Sequence, residues 1–151
     1  MRTVTIEVVA KRLRFGSGVE KGASGEDEFE TKRPGWAKPI HQLLVDNGVT
    51  VVFHGHDHMF IKQELDGIVY QLVPQPGHRR FGNTRSAPEY GYLSGEMQSS
   101  SGHVRVRVDG DSARIDYVRA YLPNDETVNR KNGEIRHSYM LKSRNVGNEI
   151  R

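Results

Sequence analysis

Four consecutive residues, Thr50-Val51-Val52-Phe53, are β-branched or aromatic throughout and carry no charge. So short and continuous an apolar run reads as a strand buried on both faces, because a half-exposed strand would alternate with polar residues. The residues before it read as a helix. Pro39 suits a first helical turn, Ile40, Leu43 and Leu44 follow at helical spacing on one face, and Gly48 after Asn47 is a stop signal. A short amphipathic helix feeding a buried strand is therefore predicted.

Downstream the pattern becomes antiparallel sheet. "MFIKQE" and "IVYQLV" flank Leu65-Asp66-Gly67, and Asp-Gly between two such runs favours a tight hairpin because it tolerates positive φ. A second hairpin is predicted where Val104, Val106 and Val108 alternate with Arg105 and Arg107. It turns at Asp109-Gly110-Asp111 and returns through Ile115, Tyr117 and Val118 to Tyr121. A last strand is expected from Ile135 to Leu141, after a polar loop from Pro123 to Gly133. At the N-terminus Val4, Ile6 and Val8 alternate as a strand, and Gly16 to Trp36 has the Gly, Ser and charge content of a long loop. Residues 1–33 thus read as a poorly defined strand and loop, and residues 34–151 as the main unit. Trp36 is expected to anchor the return of the loop to the helix.

At 151 residues the chain suits one domain, burying about two-thirds of the surface its unfolded form exposes. A hydrophobic fraction of 35% with 16 glycines leaves that core sharing the chain with long polar loops. The net charge of +3 is spread without blocks of like charge, so no nucleic-acid partner is implied. No apolar segment approaches the ~20 residues that span a bilayer, so no membrane partner is implied either. The absence of cysteine removes thiolate zinc sites, iron–sulfur clusters and disulfides. It leaves the compartment open, an extracytoplasmic one being compatible with the complete protein.

The buried strand breaks into "HGHDH", which places His54, His56 and His58 at alternate positions. Neutral imidazole is the commonest nitrogen ligand for transition metals, and Gly55 would let the backbone turn so that two rings converge. The end of a buried strand is where α/β architectures commonly hold ligands. "GVTVVFHGHDHMF", preceded by "KPIHQLLVDN" and followed by "DGIVYQLVPQPG", resembles the C-terminal half of calcineurin-like metallophosphoesterases, in the purple acid phosphatase-like and alkaline phosphatase-like branch. The resemblance covers about Pro34 to Gly77 and continues weakly through "DYVRAYLPNDE". It implies an α/β, strictly α+β and β-rich, fragment: the C-terminal half of a four-layer αββα sandwich.

The resemblance also implies a hydrolase acting on phosphate esters through a dinuclear metal centre of two divalent or trivalent ions, Fe, Zn, Mn or Ca. His56 of the GHxH motif would ligate one ion and His58 the other. Two cations roughly 3.5–4 Å apart clamp a phosphoryl oxygen and activate a water for in-line attack. His54, Asp57, His78, Arg79 and Arg80 are candidates for substrate contact or for orienting the ligands, the arginines because guanidinium matches phosphate oxygens. His41 falls on the helix and reads as an ordinary, partly buried residue; His103 and His137 read as structural.

A complete member of that family carries, before GHxH, an Asp-x-His, a Gly-Asp-x-x-Asp, a Gly-Asn-His-Asp or Glu, and a further histidine. None of these stands before His54. Two imidazoles cannot hold two ions, each of which wants at least four ligands, so this chain alone is expected to bind metal poorly and to be inactive. The sequence reads as a fragment of a truncated or split gene. Its partners would be the phosphate-ester substrate and either a missing N-terminal half or a second copy, since lost neighbours expose strand edges. Two alternatives stand beside this reading. Gly48 with His54-x-His56 also opens a cupin signature, implying a mononuclear metal-binding β-barrel, although Glu64 falls late for the cupin carboxylate. The chain could also be a non-catalytic, β-rich interaction domain.

Overall fold

The structure, a computed structural model, describes residues 6–9, 28–77 and 83–142. In chain order the elements are β1 (Ile6–Val9), α1 (Phe29–Lys32), α2 (Ile40–Asp46), β2 (Val51–His54), β3 (Met59–Leu65), β4 (Ile68–Leu72), β5 (Glu96–Ser99), β6 (Gly102–Asp109), β7 (Ser112–Arg119) and β8 (Ile135–Lys142). Short 3₁₀ turns occupy Pro88–Tyr90 and Pro123–Asp125. The fold is α+β and β-rich, as the sequence predicts.

The first sheet has five strands in the order β1-β2-β4-β3-β5, and the second has three in the order β6-β7-β8. β1, β2 and β4 run parallel, while β3 pairs antiparallel with both β4 and β5. The predicted Asp66-Gly67 hairpin forms, both residues holding the positive φ that a two-residue turn between twisted strands demands, and it inserts β4 between β2 and β3. β2 and β4 are consequently buried along their whole lengths. Each strand has neighbours on both edges and a layer on both faces, which is why an alternating pattern is absent from their sequences.

The two faces of β2 meet different layers. Val51 and Phe53 join Val69, Ala113, Ile115 and Leu141 in the core between the sheets. Val52 joins Ile68, Tyr70, Val49 and Leu44 under helix α2. The arrangement is helix, mixed sheet, antiparallel sheet. Between the sheets Phe60 stacks on Tyr117 with centroids 4.5 Å apart. Gln71, fully buried there, donates to the carbonyls of Leu72 and Ile61 and accepts from the Tyr139 hydroxyl at 2.8 Å. An amide satisfied in this way removes the penalty of burying it and fixes one sheet against the other.

Several expectations need correction. Leu43, assigned to the buried face of α2, is exposed, and the buried positions are His41 and Leu44. His41 spans from the Tyr70 hydroxyl, 2.7 Å from Nδ1, to the Asp66 carboxylate, 2.9 Å from Nε2, tying the helix to the hairpin turn. Trp36 is 46% exposed and lies beneath the Arg33 guanidinium rather than in the core. The expected loop from Gly16 to Trp36 contains helix α1; its residues 16–27 lie outside the described residues. Strand β5 is absent from the sequence reading because "EMQS" has a single apolar residue, Met97, and no alternation, and it is held by pairing with β3.

Candidate functional site

The parallel strands β1, β2 and β4 end together at Val9, His54 and Leu72, so the segments that follow β2 and β4 emerge at one edge of the sheet. The histidine segment occupies that edge. Gly55 has an ordinary φ and open space where a Cβ would stand, so the turn expected of it falls elsewhere. It falls on His56, with φ 107°, and His58, with φ 55°. Positive φ at a residue with a Cβ costs on the order of 1–3 kcal/mol and persists only where the surroundings impose it. Here they do. The Val73 amide donates to the His54 carbonyl at 2.8 Å, and the Ser100 hydroxyl donates to the His58 carbonyl, clamping the segment at both ends.

The imidazoles of His56 and His58 are exposed, with Asp57 partly buried between them. Asp57, a candidate from the sequence for orienting the ligands, is tied to a tyrosine of a distant loop. It accepts a 2.8 Å hydrogen bond from Tyr92, whose ring is buried on the helix side of the sheet among Met59, Ile61, Leu72 and Ala87. The same ring stacks on His54, with centroids 6.4 Å apart. Tyr92 went unnoticed in the sequence because nothing local distinguishes it; its role arises from a loop that crosses the sheet. Tyr92→Phe is expected to destabilise the protein by about 1–2 kcal/mol, since a buried ring keeps its packing while a carboxylate loses a donor. Thermal unfolding should show a fall of about 3–6 °C; an unchanged transition would mean that Asp57 gains nothing from the phenol.

His54 is buried, and its Nδ1 has no hydrogen-bond partner among the described residues. Desolvation pushes its pKa down to about 4, against the opposing pull of the Asp57 carboxylate, so the ring is neutral at physiological pH. His78, Arg79 and Arg80 lie outside the described residues. Among the described residues no three His, Asp or Glu side chains are grouped so as to hold a metal ion. The donors among the described residues do not fit a complete dinuclear centre. The carboxylates such a centre requires would have to come from elsewhere.

No protein-family model matches this sequence, and no curated protein does. Among solved structures the chain is similar to GAP50, titled the anchor in the inner membrane complex of Plasmodium, with a TM-score of 0.57 and 16% identity. The match takes in 93% of this chain and 37% of that one. At that identity the likeness concerns the fold alone.

Proposed function

We propose that this chain is the C-terminal portion of a metal-dependent phosphoesterase domain, in which His56 and His58 serve as terminal ligands to two metal ions. The observation that carries the proposal is the pairing of two exposed imidazoles, both on positive-φ backbone, at the C-terminal edge of three parallel strands. Strained backbone clusters at ligand sites, and in open sheets ligands bind at the ends of parallel strands, so the two observations together support this reading. Bound metals would supply charge neutralisation at the phosphoryl group and an activated water. This chain's own part is to present two exposed imidazoles on a clamped backbone. The Ser100 hydroxyl fixes the His58 carbonyl, and Tyr92 donates to Asp57 between the two histidines.

The similarity to a piece of a longer chain, 37% of its length, accords with a fragment reading. Strand β1 lies at the edge of the mixed sheet, where a missing N-terminal half or a second copy would add its strands. The cupin alternative is disfavoured by topology. A cupin is a closed antiparallel barrel, whereas the described strands form two sheets, one with parallel pairs.

The test is a zinc titration followed by the imidazole NMR resonances, with p-nitrophenyl phosphate turnover measured alongside. Weak binding, with Kd of about 0.1–1 mM, should perturb His56 and His58, vanish in the His56→Ala, His58→Ala double variant, and bring no hydrolysis. Zinc that leaves both rings unperturbed would sink the ligand assignment. Turnover by the chain alone, lost in His56→Ala, would sink the incomplete-site reading.

A further inference from the structure

Where the end of β7 meets strand β5, Arg119 is 94% buried, at a relative exposure of 6%, and its hydrogen-bond partners among the described residues include no carboxylate. Its Nε donates to the Tyr121 hydroxyl at 2.8 Å, Nη1 donates to the Tyr117 hydroxyl and the Ser99 carbonyl, and Nη2 donates to the Ser100 carbonyl at 3.1 Å. The rings of Tyr117 and Tyr121 lie 5.4 and 5.0 Å from the guanidinium carbon. Four of five N–H groups are thereby used. These partners are dipoles and ring faces, and none carries the negative charge that a buried guanidinium ordinarily requires.

A cavity of about 400 Å³ opens beside it, lined by Gln98, Ser99, Arg119, Tyr121, Arg130 and Arg136. Three arginines stand in this lining, and among its described residues there is no carboxylate. Of its lining residues, Arg136 also pairs with Glu134 at 2.9 Å, and the Gln98 amide donates to Glu96 at 2.9 Å. We propose that this cavity is a binding site for a phosphoryl group, free or as the end group of an ester, with Arg119 as its fixed floor and Arg130 and Arg136 as its walls. Guanidinium presents paired donors that match tetrahedral oxyanions, and a floor held by four hydrogen bonds loses little entropy on binding. The cavity is built without His56 or His58, so the inference stands apart from the metal reading.

The experiment is a titration of the full chain with inorganic phosphate, in chelator and at constant ionic strength, followed by backbone amide NMR shifts. Saturable perturbation centred on Ser99, Tyr121 and Arg136, with Kd of about 1–10 mM, is expected. Both wall arginines are exposed, so the Arg130→Gln, Arg136→Gln double variant should keep the fold and weaken binding about tenfold or more, while Arg85→Gln leaves it unchanged. A parallel titration with glycerol phosphate identifies the source: tighter binding than inorganic phosphate assigns the site to an ester, and equal or weaker binding to the free ion. The proposal is overturned by perturbation that does not saturate, by binding that survives in the double variant, or by an equal loss in Arg85→Gln.

Discussion

Replacing Gly95 by alanine is expected to destabilise the protein by about 3–5 kcal/mol, lowering the melting temperature by about 10 °C. Gly95 has φ of 104°, and a Cβ there would stand 2.3 Å from the Lys62 carbonyl oxygen and 2.9 Å from Cγ of Gln63. The first of these is backbone of strand β3, paired on both edges, and it cannot withdraw without breaking the ladder. Two costs add: about 1–3 kcal/mol for the disfavoured φ and a similar amount for overpacking. The consequence reaches the candidate site. Gly95 is where the loop carrying Tyr92 lands on β3, helped by the Gln63 amide donating to the Ser94 carbonyl at 2.9 Å, so lifting it should draw Tyr92 away from Asp57 and His54. Gly35, at φ 80° with open space around it, supplies the control. Alanine there should cost only about 1 kcal/mol, from conformation alone. Equal effects at the two positions, measured by urea unfolding, would show that the close approach of the loop to β3 contributes nothing.

The second large effect is expected at Asp116, whose carboxylate is fully covered on the outer face of the antiparallel sheet. It accepts from the Ser138 hydroxyl, from Arg114 Nε at 2.8 Å and from Arg105 Nη2 at 2.8 Å, with Arg107 3.7 Å away. Ser138 first, then Arg114 and Arg105, hold its pKa well below the usual carboxylate range, against the opposing effect of burial. The cover is one layer of half-exposed arginines, so water stays close and damps the attraction. Asp116→Asn can keep one hydrogen bond to Ser138 but leaves three clustered guanidinium groups without their counter-charge, at a cost of about 2–3 kcal/mol near neutral pH. Because the folded pKa lies below the unfolded one, this stabilisation is fully present above the unfolded value near 4. It is lost as pH falls from there toward the folded value, where the unfolded chain takes up the proton first. Stability curves for wild type and Asp116→Asn should therefore converge between about pH 5 and pH 2. Parallel curves down to pH 2 would show that the cluster is not coupled to the folded state.

The contrast between these two sites and the histidine segment shows what a linear reading reaches. The segment was legible because its signals are local: a continuous apolar run, an abrupt change to alternating imidazoles, and a glycine between them. Even there the backbone differed from expectation, the positive φ falling on His56 and His58 and not on Gly55. Asp116 offered no such signal. In sequence it is one acid between Ile115 and Tyr117, and its arginines come from the neighbouring strand and from two positions earlier on its own. Arg119 likewise carries no signal in the sequence, its burial coming from β5 placed against it.

The sequence by itself determined the elements whose information is contained within a few residues. Helix α2, the buried β2, the Asp66-Gly67 and Gly110 hairpins and the last strand all follow from periodicity and from turn residues that tolerate positive φ, which are properties of the local chain. Tertiary structure alone decided what depends on which strand lies beside which. It inserted β4 between β2 and β3, recruited the polar β5 to an edge, and set Tyr92 over His54. It also left Arg119 buried with dipoles for partners. Pairing free energy is shared between residues tens of positions apart, so no window of the sequence contains it.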